Sequence, residues 1–202
     1  MDAAPGGAPV RAVGQPDDQQ DAAHSQAVTI AGVPSLRLFL ALWPDDATRR
    51  SLARQQQEWG WPPGAALVPP EKLHVTLHFL GAVPATRLPA LRPLLAVAGQ
   101  SFELGAEGAR TKVWPGGIAV LELAAPPALQ ELHAALATAL RNQGFASELR
   151  AYRPHVTFAR KATGARPPGA VRPFAWRCDG TWALVRSSPR EGYQVVAVDA
   201  LR

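Results

Sequence analysis

The tripeptide His-Val-Thr occurs twice in this 202-residue chain, at His74-Val75-Thr76 and at His155-Val156-Thr157, each time inside an apolar, strand-like run. Side chains alternate faces along a strand with period two, so each His shares a face with its own Thr while the Val points away. Around the first copy, Leu73, Val75, Leu77 and Phe79 read as one apolar face, opposed by Lys72, His74, Thr76 and His78. Around the second, Tyr152, Pro154, Val156 and Phe158 read as apolar against Arg153, His155 and Thr157. Both segments are predicted to be half-buried strands that present polar groups to one cavity. One such pair on a strand is most often an ordinary polar contact. Two copies in matching contexts, in a chain with 5 His, reverse that expectation.

The rest of the chain supplies a setting for two such strands. Residues 1–34 are rich in Ala, Gly, Pro, Asp and Gln without sustained periodicity, which predicts a disordered extension and leaves 35–202 as the folded domain. Leu36–Leu42 reads as a buried strand, and Pro44-Asp45-Asp46 opens a helix that runs to about Trp59. Trp61-Pro62-Pro63-Gly64 breaks the chain before the first motif strand, which Gly81 closes. A helix is expected from Thr86 to Ala98, its register disturbed by Pro89 and Pro93. Strands follow within 102–109 and 112–123, with a turn at Pro115-Gly116-Gly117. Leu129, Leu132, Leu136 and Leu140 recur at helical spacing between Pro127 and Gly144. Two last strands are expected near 174–185 and 193–201.

The two motifs lie 81 residues apart, each after a helix and a Pro-containing approach. This spacing predicts an internal pseudo-repeat: two α/β lobes with mainly antiparallel sheets around a central cleft, each lobe giving one motif strand. Helices and strands mix without strict alternation, so the class is α+β.

Composition narrows the setting. At 47% hydrophobic residues the chain can bury a sizeable core. Cys178 is the single cysteine, which rules out an intrachain disulfide and favours a reducing compartment. No apolar stretch reaches the length of a membrane span, and the N-terminus lacks a signal-peptide pattern, so a cytoplasmic monomer is expected. The net charge of +5 is uneven: Arg11 stands against Asp2, Asp17, Asp18 and Asp21, leaving +8 on the remainder. A basic body suits a polyanion such as RNA.

Two facing imidazoles supply the acid and the base that in-line phosphoryl transfer needs near neutral pH, without a metal or other cofactor. The Thr76 and Thr157 hydroxyls can hydrogen-bond non-bridging phosphate oxygens as charge builds on them. Arg153 and Lys72 share the parity of the motif histidines and can reach the cleft mouth. Arg160 reaches it only if the strand ends or bulges near Ala159. His78 shares a predicted face with His74 but lies about 13 Å along the strand, and His133 reads as a boundary residue of its helix. Phe39, Trp43 and Trp114 read as core residues with faces able to stack a base. A metal site built from His74, His78 and His155 lacks a carboxylate or thiolate to complete it.

LHVTLHFLG (Leu73–Gly81) and PHVTFAR (Pro154–Arg160) resemble the two signature segments of the two-histidine phosphoesterase superfamily, and within it the bacterial RNA 2′,3′-cyclic phosphodiesterases, also called 2′-5′ RNA ligases. Arg37-Leu38-Phe39-Leu40-Ala41, the lead-in Val68–Leu73 and Gly192-Tyr193-Gln194-Val195 are also similar to that family, so the likeness spans about Leu36 to Arg202. Phe158 stands where Leu is commoner. The resemblance implies the bilobal fold, hydrolysis of 2′,3′-cyclic phosphate ends of RNA or of cyclic nucleotides to 2′-phosphomonoesters, and possible reverse 2′-5′ joining. It implies His74 as the general acid on the 3′ oxygen and His155 as the general base on water. It also places an Arg at Arg160. The competing reading is an RNA-end binding module of the same fold without chemistry.

Overall fold

Strand β1 (Ser35–Leu42) runs through the middle of the molecule because its alternation is apolar on both faces. In the computed structural model, which describes residues 34–146 and 151–196, Leu38, Leu40 and Leu42 enter the main core while Phe39 and Ala41 join a smaller cluster on the opposite face. The extension predicted for residues 1–34 lies, apart from Pro34, outside the described residues, as does the end of the last predicted strand beyond Val196.

Helix α1 (Asp46–Gln57) starts where the acidic pair predicts, with the Asp45 carboxylate accepting from the Thr48 backbone N–H at 2.7 Å. It ends two residues before Trp59. Helix α2 (Pro127–Asn142) buries Leu129, Leu132, Leu136 and Leu140 against the core face of the sheet, and Gly144 takes a φ of +70° just beyond it. The α-helix expected over 86–98 is instead a 3₁₀ segment, Ala85–Ala96. Pro89 and Pro93 lack the N–H that an α-helical ladder needs and their rings clash with the carbonyls four residues back, so the segment runs as 3₁₀ turns and not as an α-helix. Among the described residues no helix is long and apolar enough to cross a membrane.

The strands are β2 (Ala66–Leu67), β3 (Val75–Pro84), β4 (Phe102–Gly105), β5 (Arg110–Trp114), β6 (Ile118–Glu122), β7 (His155–Arg160), β8 (Ala175–Cys178), β9 (Ala183–Ser188) and β10 (Gly192–Val195). Six of them join β1 in the order β10-β9-β1-β3-β7-β6-β5, β2 adds to β7, and β4 pairs with β8 separately. Every pairing between these strands is antiparallel, in keeping with the α+β class read from the sequence. The two motif strands, β3 and β7, are neighbours in one continuous sheet and meet at the pair Val75–Val156. The hairpin from β5 to β6 turns through Gly116 and Gly117, both at positive φ; a Cβ on Gly117 would lie 2.7 Å from Thr163 Oγ1.

Three register shifts redirect the motif strands, one leaving Leu80 extra against β1 and two lying closer to the motifs. Against β1, Thr76 pairs with Ala41 and His78 with Leu40, so Leu77 is the extra residue. Against β6, Thr157 pairs with Val120 and Ala159 with Ala119, so Phe158 is the extra residue. A bulge breaks the alternation of everything beyond it. His78, predicted to share the face of His74, turns into the core at 4% exposure, and Phe79, predicted to be on the apolar face, stands out at 38%. In β7 the same step turns Arg160 outward, meeting the condition set for it. Buried Gln56 braces this bulge: its amide donates to Phe158 O at 2.7 Å and to Val68 O at 2.8 Å, and Val68 N–H donates to Phe158 O at 2.8 Å.

Candidate active site

The Val75–Val156 pair places the four motif side chains. In an antiparallel ladder the residues flanking a pair also face each other, so His74 lies opposite Thr157 and Thr76 opposite His155, all four on the face away from the valines. Diagonal neighbours in such a ladder are about 7–8 Å apart, which leaves room for a tetrahedral anion between the two imidazoles. The far face of the sheet is filled by Val75, Val156 and Phe158 in the core.

Both imidazoles are held the same way. His74 Nδ1 lies 2.7 Å from Lys72 O and His155 Nδ1 lies 2.8 Å from Arg153 O, in each case the carbonyl two residues earlier. A carbonyl can only accept, so Nδ1 carries the hydrogen and each neutral ring keeps its lone pair on Nε2. The Thr76 hydroxyl sits 3.1 Å from His74 Nε2. Burial pushes the His74 pKa down to about 4; the hydrogen bond to Lys72 O opposes this, while the charges of His155 and Arg160 add to it.

Aromatic rings wall both histidines. Phe39, Trp43 and Tyr193 lie 4.9, 5.7 and 5.5 Å from the His74 ring, Trp43 stacked on it and Tyr193 edge-on. Trp114 lies 4.4 Å from His155. Phe39 and Trp43, read from the sequence as core residues, thus belong to the small cluster on the cleft face that also holds Ala41, Val185, Ala183 and Tyr193. Lys72 is near this wall, its ammonium 5.6 Å from the Tyr193 ring. Arg153 stacks its guanidinium 4.8 Å over Trp114 and pairs with Glu122. Glu122 also accepts from Trp114 Nε1 at 2.7 Å and from Lys112 at 3.0 Å, and these donors hold its carboxyl below the ordinary pKa against the opposing effect of burial.

His78 and His133 stand apart from the site. His78 Nε2 donates to His133 O at 2.9 Å, the two rings stack at 4.1 Å, and His133 stacks on Tyr152 at 3.9 Å. His133, predicted to be a boundary residue, is the middle ring of this stack, and burial and then the His78 charge lower its pKa to about 4. The stack lies behind the motif strand, where the Tyr152 hydroxyl donates to Thr76 O at 3.2 Å. With His78 on the core side, His74, His78 and His155 do not converge on a metal; among the described residues no three His, Cys, Asp or Glu side chains do.

Glu122 and the Tyr193 wall escaped the sequence reading. Tyr193 sits in the closing segment that resembled the family, a usable signal. Glu122 reaches the site only through its ladder position opposite His155, and no local pattern announces that.

Three comparisons bear on the chain as a whole. The family model described as the 2′-5′ RNA ligase superfamily matches residues 44–186. A Thermus thermophilus protein named RNA 2′,3′-cyclic phosphodiesterase is 31% identical over 172 residues, which cover 75% of this chain and 82% of the relative. A Geobacillus stearothermophilus protein of the same name is 37% identical over 115 residues, half of this chain but only 35% of that longer protein. Among solved structures, E. coli LigT complexed with phosphate superposes with a TM-score of 0.61 at 27% identity, covering 81% of this chain and 95% of LigT.

Proposed function

Because the chain belongs to the 2′-5′ RNA ligase superfamily, we propose that it hydrolyses 2′,3′-cyclic phosphate ends of RNA, and cyclic nucleotides, to 2′-phosphomonoesters without a metal. The matched hold on the two imidazoles carries this reading: each Nδ1 is tied to the backbone carbonyl two residues earlier, so each neutral ring keeps its lone pair on Nε2. The name shared by the Thermus and Geobacillus relatives and the phosphate in the LigT complex support the substrate class.

In this mechanism the cyclic phosphate lies between the rings. His155 Nε2 takes a proton from water as the water oxygen attacks phosphorus, the bond to O3′ breaks in line, and His74 Nε2–H protonates the departing O3′. The 2′ oxygen keeps the phosphate. Thr76 and Thr157 donate to the non-bridging oxygens, where charge accumulates, and Arg160, exposed beyond its bulge, adds positive charge at the same phosphate. Arg153, bound to Glu122, lies one step further out. His74 is neutral in the empty site, since burial holds its pKa near 4; the arriving phosphate anion makes the protonated ring favourable again, so the acid is armed by its own substrate. Run backwards, with a 5′-hydroxyl in place of water, the same pair forms a 2′-5′ linkage. Residues 35–202 are the catalytic domain in this reading, and the protein acts as a cytoplasmic monomer.

The test is incubation of the purified protein with a short RNA ending in a 2′,3′-cyclic phosphate, followed by assignment of the product phosphate. A 2′-phosphate formed at an unchanged rate in the presence of a chelator is expected. His74→Ala and His155→Ala should each lower turnover by at least ~100-fold while remaining folded. Losses near threefold, or a 3′-phosphate product, would overturn the assignment. Binding of the RNA end with no turnover would favour the binding-module reading.

A further inference from the structure

The ring stack behind the motif strand takes no part in the acid–base steps, and packing alone does not call for it. His78 and His133 bring polar nitrogens into the protein at a cost in desolvation, and apolar side chains would fill the same space without that cost. Their contacts converge on one weak place in the sheet. Among the described residues the ladder between β3 and β7 holds the single pair Val75–Val156, and Pro154, two residues before Val156, has no N–H with which to extend it. Immediately past that seam β3 bulges at Leu77, so its register against β1 is broken as well. One backbone pair beside a bulge fixes the spacing of the two motif histidines only loosely.

Three rings from distant parts of the chain bridge this place. His78 comes from β3, His133 from α2 and Tyr152 from the approach to β7. They stack at 4.1 and 3.9 Å, with planes 24° and 16° apart. Their polar atoms tie the stack to β3 on both sides of Leu77. The Tyr152 hydroxyl donates to Thr76 O at 3.2 Å, and His78 Nε2 donates to His133 O at 2.9 Å. Burial pushes the Tyr152 pKa up, so the hydroxyl keeps the hydrogen it donates. Tyr152 thereby serves both motifs. Its hydroxyl holds the carbonyl of Thr76, whose own hydroxyl stands 3.1 Å from His74 Nε2. Its chain neighbour Arg153 supplies the carbonyl that orients His155 Nδ1.

We infer that the His78–His133–Tyr152 stack is a spacer that sets the separation of the two imidazoles, with Tyr152 as the positioning residue that registers one motif against the other. This rests on the reading of His74 and His155 as acid and base. The rings lie behind the strand and act through the carbonyls of Thr76 and Arg153. In-line transfer needs both imidazoles aligned with phosphorus at once, so an error in their spacing falls on turnover more than on binding.

The experiment compares wild type with Tyr152→Phe, which keeps the ring and its stacking and removes only the hydroxyl. With a 2′,3′-cyclic mononucleotide as substrate, kcat should fall by ~10-fold while KM stays within about twofold. The thermal midpoint should drop by no more than about 4 °C, the effect of one lost hydrogen bond. His133→Ala opens a gap in the stack and should lose at least ~10-fold in kcat, whereas His133→Phe keeps the middle ring and should stay within about threefold of wild type. A purely structural role would lower the thermal midpoint and leave kcat per folded molecule unchanged. That result in Tyr152→Phe, a loss confined to KM, or a His133→Phe variant as slow as His133→Ala would each overturn the spacer. Should His133→Ala fail to fold, Tyr152→Phe decides alone. Ring-nitrogen NMR of the substrate-free protein needs no turnover: the His74 and His155 signals should both move in Tyr152→Phe. A wild type inert on the mononucleotide would defeat the acid–base reading; the spacer would then be judged on those signals, and unmoved signals would overturn it.

Discussion

An anion entering the cleft meets an imidazole that burial keeps neutral, and the energy of that meeting can be read as protons. The free His74 pKa is about 4, so at pH 6 about 1% of the rings carry a charge. An anion about 4 Å from Nε2 interacts with a charged ring by about 4 kcal/mol at an effective dielectric of about 20. Each unit of pKa corresponds to about 1.4 kcal/mol, so the occupied site should hold His74 near 7 and charge about 90% of the rings at pH 6. Binding should therefore take up about 0.9 proton. Inorganic sulfate is the suitable probe, since it does not itself titrate there, and His155→Asn removes the other imidazole of the site. The measurement is calorimetric titration at pH 6 in two buffers of different ionisation enthalpy. Affinity should also rise as pH falls from 7 and level off near 4, where the free ring is already charged. Uptake below ~0.2 proton, or uptake that survives in His74→Asn, would show that His74 does not contact the bound anion.

Two other outcomes follow from the same geometry. Thr76→Val and Thr157→Val should each cost about 1–3 kcal/mol of transition-state stabilisation, seen in kcat/KM, with thermal stability little changed; a change confined to KM would move the hydroxyls from the reacting phosphate to simple binding. Stability should fall in acid. His74 and His133 are held neutral in the fold with pKa near 4, against an ordinary value of 6.5, so the unfolded chain binds more protons between those limits. The contribution is complete above pH 6.5 and is lost as pH falls through 4, about 3 kcal/mol for His74 alone. Urea midpoints across that range should drop accordingly, and a flat profile would contradict the burial of these rings.

Much of the site was legible because its chemistry is local. A two-residue period sets His74 beside Thr76 and His155 beside Thr157, and the same spacing lets each ring find the carbonyl two residues back. The Leu129–Leu140 stripe and the acidic start of α1 were legible for the same reason: a few neighbouring residues decide them. His78 and Phe79 were misplaced because a bulge is a property of two strands in register, and Leu77 carries no mark of being the extra residue. Arg160 depended on the matching bulge at Phe158, braced by Gln56 from 102 positions away.

By itself, then, the chain determines which groups are available and which of them share a strand face, since alternation is written into every extended segment. The tertiary structure decides which strands are neighbours. The seam at Val75 and Val156 brings two distant motifs onto one surface, the rings of Phe39, Trp43 and Tyr193 set the low polarity that keeps His74 neutral, and the ladder puts Glu122 and its cations beside His155. Those outcomes depend on contacts between residues far apart in sequence, which only the packed sheet can select.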